Sequence, residues 1–142
     1  MRRNGSNLIL GAGVILLAVL ACKFSATTAN ISSLKLGKDK NVKDETTTFA
    51  PDDTIYALAN ISNASEKLKV KGRLAFEDVE GQKKGPIPGL EDDVELPGSG
   101  TATFTFTPPG SGWPKGKYQV QIIMLNEGGE QKDEKSVTFT VS

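Results

Sequence analysis

The sequence predicts an all-β protein, an antiparallel sandwich of about seven strands that follows an N-terminal signal helix. Three observations carry this. Apolar residues alternate with polar ones over short runs, clusters of Gly, Pro, Asn and Asp separate the runs, and beyond the N-terminal apolar segment no stretch has the 3.6-residue period of a core helix. A chain of 142 residues with one such segment removed is the size of a single domain with one modest core.

The N-terminal segment divides into the regions of a secretory signal. Arg2 and Arg3 give a positive start, residues 4–7 are polar, and Leu8 to Ala21 form an uncharged apolar run. A bilayer span needs about 20 apolar residues, and this run is shorter and meets Lys23. Export followed by cleavage is the expectation. The run closes on Ala18-Val19-Leu20-Ala21-Cys22, which resembles the lipobox of bacterial lipoproteins, with Leu20 bulkier than the small residue preferred at its position. The resemblance implies that the Cys22 thiol receives a diacylglyceryl group, that a dedicated peptidase cuts before it, and that the new amino terminus is acylated.

Cys22 is the single cysteine of the chain, and lipidation accounts for it where a disulfide cannot. The alternatives are an uncleaved anchor or an ordinary signal that discards it. Two or more acyl chains make a stable attachment, whereas one is marginal. Lys23 in place of aspartate points to the outer membrane of a diderm cell envelope. The organisation expected is a signal peptide over 1–21, a lipidated cysteine with a flexible Ser- and Thr-rich tether over 22–29, and a β-domain over 30–142.

Within that domain Ile31 to Leu36 is a weak first strand, and Lys38 to Thr47 is a charged loop without periodicity. Thr54 to Ile61 is apolar enough for a central strand, and Ser62 to Glu66 is a turn. The clearest alternation follows, with Leu68, Val70, Gly72, Leu74 and Phe76 on one face and Lys67, Lys69, Lys71 and Arg73 on the other. From Pro86 to Leu96 proline and charge allow at most one or two short edge strands. Ala102, Phe104 and Phe106 alternate against threonines; Tyr118, Val120, Ile122 and Met124 form the next inward face, residues 126–130 a hairpin loop, and Val137, Phe139 and Val141 the last strand.

This order of parts resembles bacterial immunoglobulin-like domains, with the Ile55, Leu68 and Phe104 strands in the places of B, C and E and the closing hairpin in those of F and G. The run Trp113-Pro114-Lys115-Gly116-Lys117-Tyr118-Gln119-Val120 resembles the approach to the penultimate strand in such domains. The resemblance covers Ile31 to Ser142 and implies an immunoglobulin-like antiparallel β-sandwich, without the two core cysteines and the third-strand tryptophan of antibody domains. Tyr118 is then expected in a tyrosine corner, ring in the core and hydroxyl bonded to nearby backbone. Trp113, in a Gly- and Pro-rich loop, either caps the sandwich or serves as an exposed aromatic anchor.

The chemistry is restrictive. The chain has no histidine, which removes His-based triads, His-ligated metals and the commonest general base. With Cys22 acylated no thiol remains for catalysis or zinc. The 17 basic and 17 acidic residues balance, so there is no field for nucleic acid. Asp52-Asp53, Glu77-Asp78 and Glu91-Asp92-Asp93 offer carboxylates, yet no spacing selects a glycosidase pair and Glu91 to Glu95 lacks the glycine and closing glutamate of a calcium loop. Asn30, Asn60 and Asn63 open Asn-X-Ser triplets, chance matches beside a bacterial lipobox, whereas in a eukaryotic source all three would matter and the lipid reading would weaken.

No catalytic residue, metal or cofactor is expected. The expected role is a non-catalytic binding or assembly module held to the membrane by its lipid and facing a protein or an envelope polymer. The candidate interaction face is a flat, polar, mildly basic one made of Lys67, Lys69, Lys71 and Arg73 with Gln119 and Gln121 from the neighbouring strand. The plainer reading is that these residues only keep a wet strand soluble. The alternative function is a carbohydrate-binding accessory domain or a carboxylate-based hydrolase acting on surface glycan.

Overall fold

Eight strands build two facing sheets in the computed structural model, which describes residues 29–142. The signal segment, Cys22 and the tether as far as residue 28 lie outside the described residues. One sheet has the order β1-β3-β6, from β1 (Asn30–Gly37), β3 (Ile55–Ser62) and β6 (Gly100–Phe106). The other has the order β2-β8-β7-β4-β5, from β2 (Thr48–Phe49), β4 (Leu68–Val79), β5 (Gly85–Leu96), β7 (Gly116–Asn126) and β8 (Gln131–Val141). Strands β1, β3 (B) and β6 (E) face β8 (G), β7 (F) and β4 (C), so the chain is an immunoglobulin-like β-sandwich, with β5 added beside β4 and the short β2 beside β8.

The alternation in the sequence becomes the division between core and surface. Ile55, Ala57, Ala59 and Ile61 of β3 are buried, and so are Leu68, Val70 and Leu74 of β4, Ala102, Phe104 and Phe106 of β6, and Tyr118, Val120, Ile122 and Met124 of β7. Each large side chain so buried contributes about 1.5–3 kcal/mol relative to an exposed one. Between the sheets the Phe104 ring lies against Gly72, where an added Cβ would come within 2.7 Å of the ring. Here glycine is required for close approach.

At one end an aromatic row crosses the five-stranded sheet. Phe76, Tyr118 and Phe139 are successive partners across β4, β7 and β8, with Phe49 of β2 beyond them. Tyr118 stacks on Phe139 at 5.1 Å, Phe49 meets Phe139 edge-on at 5.4 Å, and Phe76 lies tilted at 5.5 Å from Tyr118. On β5 the residue opposite Phe76 is Gly85, so the row stops there.

The structure corrects two expectations from the sequence. The Pro86 to Leu96 region belongs to one twelve-residue edge strand, Gly85–Leu96, and not to one or two short ones. Its pairing with β4 runs from Leu96 to Glu91, jumps, and resumes at Pro86 opposite Ala75, so Ile87 to Leu90 bulge out opposite Leu74 alone. The bulge takes up the interruption that proline and Gly89 impose, Gly89 having a φ of 84°. The sheet is not wholly antiparallel, because Thr48 and Phe49 pair parallel with Thr140 and Val141. The alternation of β4 holds as far as Phe76, which stands opposite the buried Tyr118, and Ala75, opposite Gln119 and Pro86, is buried as well.

Candidate functional site

The register shows what lies around the lysine face, the interaction surface expected from the sequence. Lys69, Lys71 and Arg73 point outward from β4, with Leu125, Ile123 and Gln121 of β7 beside them and Gln119 one step along. Glu95, Asp93 and Glu91 of β5 lie directly opposite the same three residues on the other side. The expected mild basicity is therefore offset by a parallel acidic stripe, and Lys71 Nζ lies 3.7 Å from Glu91 Oε2. The Arg73 Nε–H donates to Gln121 Oε1 at 2.7 Å, and the Gln121 amide donates to Gln119 Oε1 at 3.0 Å. These partners satisfy one another across strands, the ordinary stabilisation of a wet sheet face. Lys67 precedes β4 and stands at the far end, near Leu125 and Glu127.

Of the two places open to Trp113, the structure takes the buried one. The residue is 3% exposed, its ring N–H donates to the Asp53 carbonyl at 2.8 Å and its backbone N–H to the Pro51 carbonyl at 2.7 Å. It meets Tyr118 edge-on at 6.3 Å. Tyr118 itself is fully buried and its hydroxyl donates to the Pro114 carbonyl four residues upstream, the expected tyrosine corner. Burial pushes its phenol up to about 12.

Two of the acidic clusters have local partners. Asp53 accepts the Ala50 N–H at 2.7 Å and lies 3.3 Å from Lys38 Nζ, so it fastens the turn on which Trp113 rests. Glu77 accepts the Thr138 hydroxyl at 3.1 Å. Among the described residues no three acidic side chains are grouped to hold a metal ion. Asn60, one of the three Asn-X-Ser asparagines, is tied between Ser33 and Thr101 at 2.8 Å each.

What sequence reasoning missed is a groove where the aromatic row stops. It has a volume of about 380 Å³ and is lined by Phe76, Ile87, Leu90, Pro109, Trp113 and Tyr118, among others. One wall is the aromatic corner of β7 and the loop before it. The other is the Ile87 to Leu90 bulge of β5, whose apolar side chains are half-buried. The size is within the range of about 300–1,000 Å³ typical of ligand pockets, and the lining is mostly apolar as in such pockets. The only trace in the sequence was Ile87 and Leu90 among prolines and charges, and their convergence on Trp113 depends on the bulge.

No known protein-family profile matches the chain, and comparison with curated proteins gives no match. Similarity appears in solved structures. A segment of β-glucuronidase 2 from Bacteroides uniformis superposes with a TM-score of 0.53 at 11% identity, over 80% of this chain and 14% of that one. An immunoglobulin-like protein from Pseudomonas aeruginosa gives 0.47 at 16% identity over 82% and 99% of the two chains. A Niemann-Pick type C2 protein from the Japanese carpenter ant gives 0.48 at 13%, over 81% and 93%. The chain thus spans about one seventh of the glucuronidase it resembles, and at 11% identity that likeness shows a shared sandwich fold and nothing of activity.

Proposed function

We propose that the chain is a lipid-anchored, non-catalytic binding module of the bacterial cell envelope, attached through Cys22 and working through the end of the sandwich that carries the groove. The observation that supports this most is the direction of the domain. Strand β1 starts beside the end of β3, where the Ile31 N–H donates to Asp133 Oδ2 at 2.9 Å, and this is the Leu68 end of β4. The groove is at the Phe76 end. The two are separated by about 25 Å at the ~3.3 Å rise of a strand residue. An anchor at Cys22, with only residues 23–29 between lipid and fold, would hold the first end at the bilayer and present the groove outward. The alternative of sugar binding loses its best aromatic, since Trp113 offers almost no ring area.

The test replaces Cys22 by Ser and follows incorporation of radiolabelled palmitate and membrane fractionation. Loss of label and release from membranes are expected. Unchanged labelling of the variant would defeat the anchor.

A further inference from the structure

We propose that the slot between β5 and β6 receives an extended, positively charged segment of a partner protein, which adds as a strand to the free edge of β6 and sets a large apolar side chain in the groove. The proposal deepens the reading of the chain as a binding module and does not depend on the anchor.

The first observation is the state of the sheet edges. An open edge presents unpaired N–H and C=O groups, and proteins ordinarily blunt it with charge, proline, bulges or cover. The edge strand β5 carries Pro86, Pro88, a bulge and four carboxylates, and β1 carries Lys35 and an irregularity between Ile31 and Ser33. The edge of β8 is covered by β2 at one end and lined by Lys132, Asp133, Glu134 and Lys135 at the other. Strand β6 has no charge, proline or bulge, and β5 of the facing sheet lies beside it without pairing. It reads Gly-Thr-Ala-Thr-Phe-Thr-Phe, pairs with β3 alone and without a register shift, and leaves Thr101 and Thr105 exposed.

The second observation is the place of the groove. Thr107 and Pro109, which continue β6, line it together with Ile87 and Leu90 of β5. A strand laid along β6 would turn alternate side chains between the sheets, and one near the Phe106 end would enter the groove and continue the aromatic row that ends at Phe76.

Charge selects the occupant. Asp92 lies opposite Gly72 and therefore on the inward-facing side of β5, yet it is exposed and, unlike Glu91, Asp93 and Glu95 on the outer face, has no basic residue opposite it on β4. A second copy paired through β6 by a twofold axis would bring two such acidic edges together, which opposes it. A lysine- or arginine-bearing segment would be attracted.

The experiment selects displayed random nonapeptides on the full chain in detergent micelles. Expected winners alternate apolar and polar positions, carry more Lys and Arg than Asp and Glu, and lose at least tenfold in affinity when a central residue becomes proline. They are expected to shift the fluorescence of Trp113, the single tryptophan, and the amide resonances of residues 100–107. Asp92→Lys is expected to weaken them several-fold and to favour acidic winners. The proposal is overturned by peptides that tolerate the proline or map to β8, by a failure to enrich any peptide, by a chain that dimerises through β6, or by palmitate filling the groove where no peptide does. Palmitate labelling of Cys22 is a separate readout, so loss of the anchor and loss of this site are distinguishable.

Discussion

The two walls of the groove are built on different principles. The wall made by Trp113 and Tyr118 is closed: both rings are buried, both polar tips are bonded to backbone carbonyls, and the stack continues through Phe139 to Phe49. The wall made by Ile87 to Leu90 is a bulge on an edge strand, half-buried, with Pro88 and Gly89 in solvent. The difference teaches where stability and adaptability reside in this sandwich. Packed, hydrogen-bonded rings fix one side, and a segment with few burial contacts leaves the other free to adjust.

The comparison breaks most severely at Trp113. Trp113→Ala removes a buried indole and leaves Asp53 and Tyr118 without their neighbour, and is expected to cost about 3–5 kcal/mol in denaturant unfolding. A methyl at Gly72 tests the packing behind both walls. Gly72→Ala drives Cβ into the Phe104 ring and is expected to cost about 1–3 kcal/mol by the same measurement.

Tyr118→Phe keeps the ring and removes the bond to Pro114, for an expected loss of about 1 kcal/mol at neutral pH. It also carries a pH signature. The folded phenol ionises near 12 against 10.0 for the ordinary group, so the unfolded chain releases this proton first. The stabilisation is intact below pH 10 and is lost as pH rises towards 12. Thermal melts across that window should fall more steeply for the parent chain than for Tyr118→Phe.

The smallest effect is expected on the soft wall. Ile87→Ser should change stability by only about 0.5 kcal/mol, as for other half-exposed sites, while abolishing binding of the selected peptides. A large loss of stability there would show that both walls are equally rigid.

Much of this is legible in the sequence. The faces of β3, β6 and β7 follow directly from alternation, and Tyr118 occupies the corner that its place after Trp113-Pro114 implies. The groove is not legible, because it is what remains when β5 bulges opposite Leu74 and places Gly85 beside Phe76. The parallel pairing of Thr48 and Phe49 is hidden for a similar reason, since two residues have no period.

The lysine stripe shows the boundary most clearly. That Lys69, Lys71 and Arg73 share one wet face was determined by sequence alone, because side chains along a strand alternate whatever the strand pairs with. That Glu95, Asp93 and Glu91 stand opposite them, and that Trp113 is inside, was decided only by the tertiary structure. Strand period is a local property of the backbone. Register, bulges and the choice of neighbour depend on how distant segments close over one core.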